Sequence, residues 1–362
     1  MKISVVPWVG ADPGWPPQDL AEQIVVVIDV LRATSTIVTA LANGAKAVVP
    51  MLTPDEARSL AQPDDLLAGE RGSLPLPGFA LGNSPLEFTA ERVAGKRIIL
   101  TTTNGTRALL AAKGARRVLL ASLLNMGAVA DELKKDLARQ AALKGEEFPV
   151  QGDTPAREDT PGKVTFLCSG TRGRFSLEDT LCAGGIISRL LGEGQGIDPD
   201  LVWGLVTQQS STNPLTSLRA VGLAGPGPQG PGSSGQRDPG SPVPVQREPG
   251  SPAQRESGRW HRMWWGPGSE GRAFSPTDSQ GRIASRLDDS AYQLDDLAYA
   301  ALFLYRTVHH SPAAFRSLLG LGVNSRDLEK LGLAADIAYC AQEDLFSLCP
   351  EYRGDEVLAV HT

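Results

Sequence analysis

Basic charge, long apolar runs and paired cysteines are all scarce in this chain, and each shortage removes a class of function. The 362 residues carry 35 Lys and Arg against 41 Asp and Glu, a formal net charge of -6. Nothing global therefore draws the chain to nucleic acid or to an anionic membrane surface. No apolar run reaches the ~20 residues that cross a bilayer. The segment Met1-Lys2-Ile3-Ser4-Val5-Val6-Pro7 reads as a first strand and lacks the apolar h-region of a signal peptide. Cys168, Cys182, Cys340 and Cys349 form no Cys-x-x-Cys pair and have no His at zinc spacing. They fit free thiols in a reducing cytoplasm. No Gly-x-Gly-x-x-Gly follows a predicted strand and no Walker A spacing occurs, which sets aside a dinucleotide-binding protein and a P-loop enzyme.

What is present is a repeated alternation of strand and helix. Val25–Val30, Ala47–Met51, Leu66–Arg71, Arg97–Thr103, Arg117–Ser122 and Gly162–Cys168 read as strands, most of them followed by helical sequence. Asn43-Gly44 closes the first helix, and Thr53-Pro54-Asp55-Glu56 opens the next with a hydroxyl cap and an early proline. The expected fold is α/β: layered, with a largely parallel sheet and helices on both faces. Residues 1–139 and 163–207 carry that pattern, 140–162 reads as a loop insertion, and helical periodicity returns in a C-terminal portion over 287–362. Between them, 208–286 is a low-complexity insertion; about half of Gly225–Pro252 is Gly or Pro, so disorder is expected. Beyond that tract Trp260, Trp264 and Trp265 lie among Arg259, His261 and Arg262, an aromatic-basic cluster that reads as chance composition or as an interaction motif.

The chemistry-bearing residues gather at predicted strand ends. A β-branched run ends in Asp29 and is followed by Arg32, Thr34, Ser35 and Thr36. A carboxylate there, beside hydroxyls, a guanidinium and a helix start, suits a divalent metal next to a phosphate, or simply caps a helix. Gly69-Glu70-Arg71-Gly72 ends another strand on an adjacent charge pair, and Gly82-Asn83-Ser84-Pro85 is a polar loop. Thr101-Thr102-Thr103-Asn104-Gly105-Thr106-Arg107 leads a strand straight into a helix with hydroxyls and free amides for an anion. Cys168-Ser169-Gly170-Thr171-Arg172-Gly173-Arg174 has the Cys-x5-Arg spacing of cysteine phosphatases, followed by Ser176, Glu178 and Asp179 at a helix start.

In order, Val27-Ile28-Asp29-Val30-Leu31-Arg32-Ala33-Thr34-Ser35-Thr36, Ala68-Gly69-Glu70-Arg71, Pro77-Gly78-Phe79 with Gly82-Asn83-Ser84-Pro85, Thr103-Asn104-Gly105-Thr106 and Glu178-Asp179 resemble the 2-phosphosulfolactate phosphatase (ComB-like) family. The likeness covers about 1–135, 163–205 and 287–350, and the chain departs from the family pattern in the insertion before Asp288. The resemblance implies Mg²⁺-dependent hydrolysis of (2R)-2-phospho-3-sulfolactate, a coenzyme M biosynthesis-type step, or of a related small 2-phosphorylated acid. On that reading Asp29 and Glu70 hold Mg²⁺, while Arg32 and Arg71 clamp phosphate or sulfonate. Thr34, Ser35, Asn83, Ser84, Thr103, Asn104, Gly105, Thr106 and Arg172 bind substrate, and Glu178 or Asp179 completes the metal shell or serves as base. The expected partner is a small anionic phosphorylated substrate, with no nucleic acid and no membrane, in a homodimer. Two other readings stay open: a metal-independent phosphatase using Cys168 and Arg174, and an inactive scaffold whose working part is the 208–286 arm.

Overall fold

The computed structural model describes residues 1–145, 162–192 and 292–360. The low-complexity tract and its tryptophan cluster lie outside the described residues; of the expected 140–162 loop insertion, 140–145 instead continue a helix and 146–161 lie outside the described residues. The first half runs β1 (Lys2–Val6), β2 (Gln23–Ile28), α1 (Ala33–Ala42), β3 (Ala47–Pro50), α2 (Pro54–Leu60), β4 (Leu66–Arg71), β5 (Leu74–Pro75), α3 (Ala90–Val93), β6 (Arg97–Thr101), α4 (Gly105–Ala111), β7 (Arg117–Ala121) and α5 (Met126–Gly145). Then come β8 (Lys163–Cys168), α6 (Leu177–Leu191), β9 (Gln293–Leu294), α7 (Asp296–Val308), α8 (Pro312–Gly320), α9 (Val323–Lys330), α10 (Ala334–Cys340), β10 (Cys349–Arg353) and β11 (Glu356–Val360).

The strands join in the order β5-β4-β6-β3-β11-β10-β7-β2-β8-β1-β9. Two parallel blocks make up most of it, β4-β6-β3 and β7-β2-β8-β1-β9. The hairpin β10–β11 lies between them, antiparallel to β7 on one side and to β3 on the other. The expected α/β architecture is therefore observed. Sequence periodicity does not separate this hairpin from the C-terminal helices, although Gly354-Asp355, with Gly354 at φ +62°, makes the two-residue turn.

β2 shows why the sheet is covered on both faces. Every one of its residues is buried, and alternate side chains point to opposite sides. Ile24, Val26 and Ile28 join the core built with α5, α6 and α7. Val25 and Val27 join the one that holds Ile37, Ala40 and Leu41 of α1 and Ala108 and Leu109 of α4. α6 and α7 approach closely because Gly184 leaves no room for more: a Cβ there would lie 2.0 Å from the Ala301 carbonyl oxygen. Local signals fix the helix starts, with a Thr53–Glu56 capping box on α2 and the Ser176 and Asp295 side chains capping α6 and α7. Among the described residues no helix is long and apolar enough to cross a membrane.

Candidate active site

The loops after β2, β4, β6 and β8 meet at one cleft of about 340 Å³, lined also by α9 and by Leu331 just after it. Asp29 follows directly on the apolar run of β2. Its Oδ1 accepts the Ala33 N–H at 3.2 Å, at the first turn of α1. The start of α4 presses against the same carboxylate: a Cβ on Gly105 would lie 2.7 Å from Asp29 Oδ2 and 2.4 Å from Ala33 Cβ. Only glycine fits there. Glu70, at the end of β4, accepts the Ser73 and Thr103 N–H groups, each at 2.7 Å. The loops after β4 and β6 are thereby tied to one carboxylate. The side-chain oxygen of Asn83 is buried and has no partner among the described residues.

Charges of both signs line the cleft. Among the described residues no cation is bound to Asp29 or Glu70, and Arg32 lines the cleft as well. Burial first, then the neighbouring Asp179 and Glu70 charges, pushes the Asp29 carboxyl up to about 7. Arg172, from the loop after β8, and Lys330, from α9, line the cleft too, both bonded to Asp327, at 2.7 and 3.5 Å. Arg172 occupies a left-handed position, φ +56°, in a turn closed by Thr171 and Arg174 main-chain hydrogen bonds of 3.0 and 3.1 Å. That conformation is costly for a side chain as large as arginine and is usually left to glycine.

Of the residues read as a site, Asp29, Arg32, Glu70, Asn83, Thr103, Asn104 and Arg172 line the cleft together. Others stand behind it. The Thr34 and Ser35 hydroxyls donate to the Asp29 and Val30 carbonyls at 2.8 and 2.7 Å, so they shape the turn into α1. Thr106 and Thr102 bond to one another at the start of α4. Arg71 donates to the Glu70 and Leu52 carbonyls and to the Thr101 hydroxyl. Ser84 donates to Asp336 at 2.6 Å.

Glu178 and Asp179 are also buried behind the strand ends. Asp179 accepts the Val30 and Gly170 N–H groups at 2.9 and 3.2 Å and the Ser169 hydroxyl at 3.3 Å, joining the loops after β2 and β8. Burial, then the Glu178 charge, raises its carboxyl to about 7. Burial also pushes Glu178 above its ordinary value.

Four residues of the C-terminal helices escape sequence reasoning. Asn324, Asp327 and Lys330 line the cleft from α9, and Asp336 of α10 pairs with Arg32 at 2.6 Å. Each sits on a short helix where a polar residue looks like solvent-facing surface, and no local spacing distinguishes it. Cys168, by contrast, is fully buried in the apolar core and its thiol is driven well above the ordinary range by burial, so it presents no thiolate to the cleft. Arg174 is exposed on the far limb of its turn.

Comparison with known proteins bears on the family of the chain. The 2-phosphosulpholactate phosphatase family matches residues 13–147, 150–221 and 274–355. A protein named as a probable 2-phosphosulfolactate phosphatase from Symbiobacterium thermophilum is 46% identical over 198 residues, 54% of this chain and 74% of the relative. A second of that name, from Thermotoga maritima, is 44% identical over 173 residues, 47% of this chain and 65% of its own length. A third, from Clostridium beijerinckii, is 38% identical over 207 residues, 55% of this chain and 74% of the relative. The matched stretch thus spans slightly under two thirds of some relatives and about three quarters of others. With its strand-end motifs converging on one anionic-and-cationic cleft and the family match spread over most of its length, the chain belongs to the 2-phosphosulpholactate phosphatase family.

Proposed function

We propose that the cleft hydrolyses the phosphate ester of a small 2-phosphorylated acid, 2-phosphosulfolactate first among them, with Mg²⁺ held by Asp29 and Glu70. The observation that carries this reading is one cleft that brings the Asp29 and Glu70 carboxylates together with Arg32, Arg172 and Lys330. The donor set fits Mg²⁺: it is all oxygen, with two carboxylates and the unpartnered Asn83 oxygen lining one cleft. Magnesium is usually held by one or two carboxylates together with water and substrate phosphate rather than by a full protein cage. When bound, the ion neutralises charge that builds on a phosphate oxygen during cleavage.

The protein side of the reaction follows from the remaining donors. Arg32 spends one N–H on Asp336 and one on the Ser73 carbonyl, which leaves three of a guanidinium's five for phosphate. Thr103 and Asn104 shape the phosphate end of the cleft. A second acid group on the substrate, such as a sulfonate or carboxylate, meets Arg172 and Lys330. Asp179 holds together the loops after β2 and β8, on which Asp29, Arg32 and Arg172 stand. The four free cysteines are all buried, a state that suits a reducing cytoplasm.

The test is phosphate release from 2-phosphosulfolactate with Mg²⁺, then with EDTA. Release is expected only with the metal, and Asp29→Asn is expected to lower it on the order of a thousandfold while leaving the fold intact. Release that survives both EDTA and the substitution would remove Asp29 from its role.

A further inference from the structure

Arg32 has a counter-charge, and it is not one of the cleft carboxylates. Its Nη1 donates to Asp336 Oδ2 at 2.6 Å, with each side chain only 3% exposed. Its Nη2 donates to the Ser73 carbonyl at 2.8 Å. The other Asp336 oxygen accepts the Ser84 hydroxyl at 2.6 Å. Four segments far apart in sequence thus converge on one guanidinium: the start of α1, the β4–β5 turn, the 82–85 loop and α10. Asp29 and Glu70 line the same cleft as Arg32, yet among the described residues neither accepts a hydrogen bond from it. A guanidinium close to two carboxylates in a partly dry cleft pairs with them unless something stronger holds it.

We propose that Asp336 is a positioning residue that holds Arg32 away from Asp29 and Glu70. The two carboxylates then stay open to a divalent cation, and the free N–H groups of Arg32 stay open to phosphate. Without Asp336 the guanidinium turns onto the carboxylates, and one movement closes both binding functions. This inference rests on the reading of the cleft given under Proposed function. The competing account is a plain structural anchor that fastens α10 to the 82–85 loop, and removing an anchor changes stability without changing what the folded protein binds.

Calorimetric titration with Mg²⁺ alone, and with inorganic phosphate in the presence of Mg²⁺, separates the two on the full chain. Asp336→Asn is expected to weaken both on the order of 10- to 100-fold, the usual loss when a partner behind a ligand is removed. Asp336→Glu is expected to recover part of it, and Ser84→Ala to shift both in the same direction by a few-fold. The decisive variant is Arg32→Met combined with Asp336→Asn: Mg²⁺ affinity returns because the competing guanidinium is gone, while phosphate affinity does not. Folded Asp336→Asn protein with unchanged affinities overturns the inference, as does a loss of Mg²⁺ binding that Arg32→Met fails to reverse. If Asp336→Asn does not fold, Ser84→Ala decides, and unchanged affinities there overturn it equally. Wild-type protein that binds neither ion overturns it as well. Wild-type protein that binds both ions but releases no phosphate from 2-phosphosulfolactate instead overturns the assigned reaction and leaves the positioning role in place.

Discussion

Two groups of buried carboxylates stand at opposite ends of neighbouring strands, and the chain treats them differently. At the amino end of β7, Arg117 bonds Glu132, Asp136 and Glu351 at 3.1, 2.5 and 2.7 Å, with Lys135, Arg139 and Arg353 adding further cations. At the carboxyl end of β2, next to β7, Asp29 has no cation bound to it among the described residues. Glu351 and Asp29 are each 6% exposed, although Asp29 lies deeper in the protein. The titration is not. Burial alone would raise Glu351, but hydrogen bonds from Arg353 and Arg117 hold it below its ordinary value, whereas Asp29 rises to about 7. Counter-charge together with depth separates a clamp that closes the fold from a site left open for a cation.

The largest break in this comparison comes from emptying the clamp. Arg117→Leu leaves three buried carboxylates short of their main partner and is expected to cost about 3–5 kcal/mol. Urea denaturation reads that loss, while folded protein should keep its rate of phosphate release. A stability loss below the noise would mean that the cluster is solvated and clamps nothing.

The pH dependence should carry opposite signs at the two ends. Asp29 and Asp179 have folded values of about 7 against 3.8 for the unconstrained group, so between those values the folded state binds more protons. In EDTA their contribution therefore destabilises the fold progressively as pH rises from about 4 to about 7. Each group removes at most roughly 1.4 kcal/mol for every pH unit crossed in that window. Asp29→Asn should flatten part of that slope. Glu351 acts the other way: its stabilisation is present above its unfolded value of 4.5 and is lost as pH falls through its lowered folded value. Urea midpoints measured across the range from about pH 2 to about pH 8 check both signs.

The smallest effect belongs to the rim. Lys330 is 75% exposed, and an exposed charge contributes about 0.2–1 kcal/mol. Lys330→Gln is therefore expected to lower kcat/KM only a few-fold for substrates with a second acid group, and not at all for a simple phosphate monoester. Equal losses on both substrates would remove the rim from substrate selection.

The half of the site that is legible in the sequence sits where buried strands run out. A Val-Ile run ending in Asp29, or Leu66–Arg71 ending on Glu70, announces itself because an apolar strand has no packing reason to finish on a carboxylate. Asp336 and Asp327 carry no such mark. They reach the cleft only through tertiary packing of α9 and α10, which local periodicity does not encode. Thr34 and Ser35 show the converse: their hydroxyls suit an anion, yet the turn into α1 consumes them. At β3, β4, β6, β7 and β8 the expected strands end within a residue or two of the observed ones. The C-terminal hairpin escapes because Cys349 and Pro350 obscure the alternation ahead of its turn.

That hairpin sets the order in which the molecule becomes whole. β10 and β11 alone join the two parallel blocks of the sheet, yet they are translated after every other described strand and helix. On a ribosome the block of β4, β6 and β3 and the block of β7, β2, β8 and β1 exist as separate edges until residues past 349 emerge. Until then each block exposes a strand edge of the kind that recruits other chains. A nascent chain stalled before residue 349 would hold both edges open together.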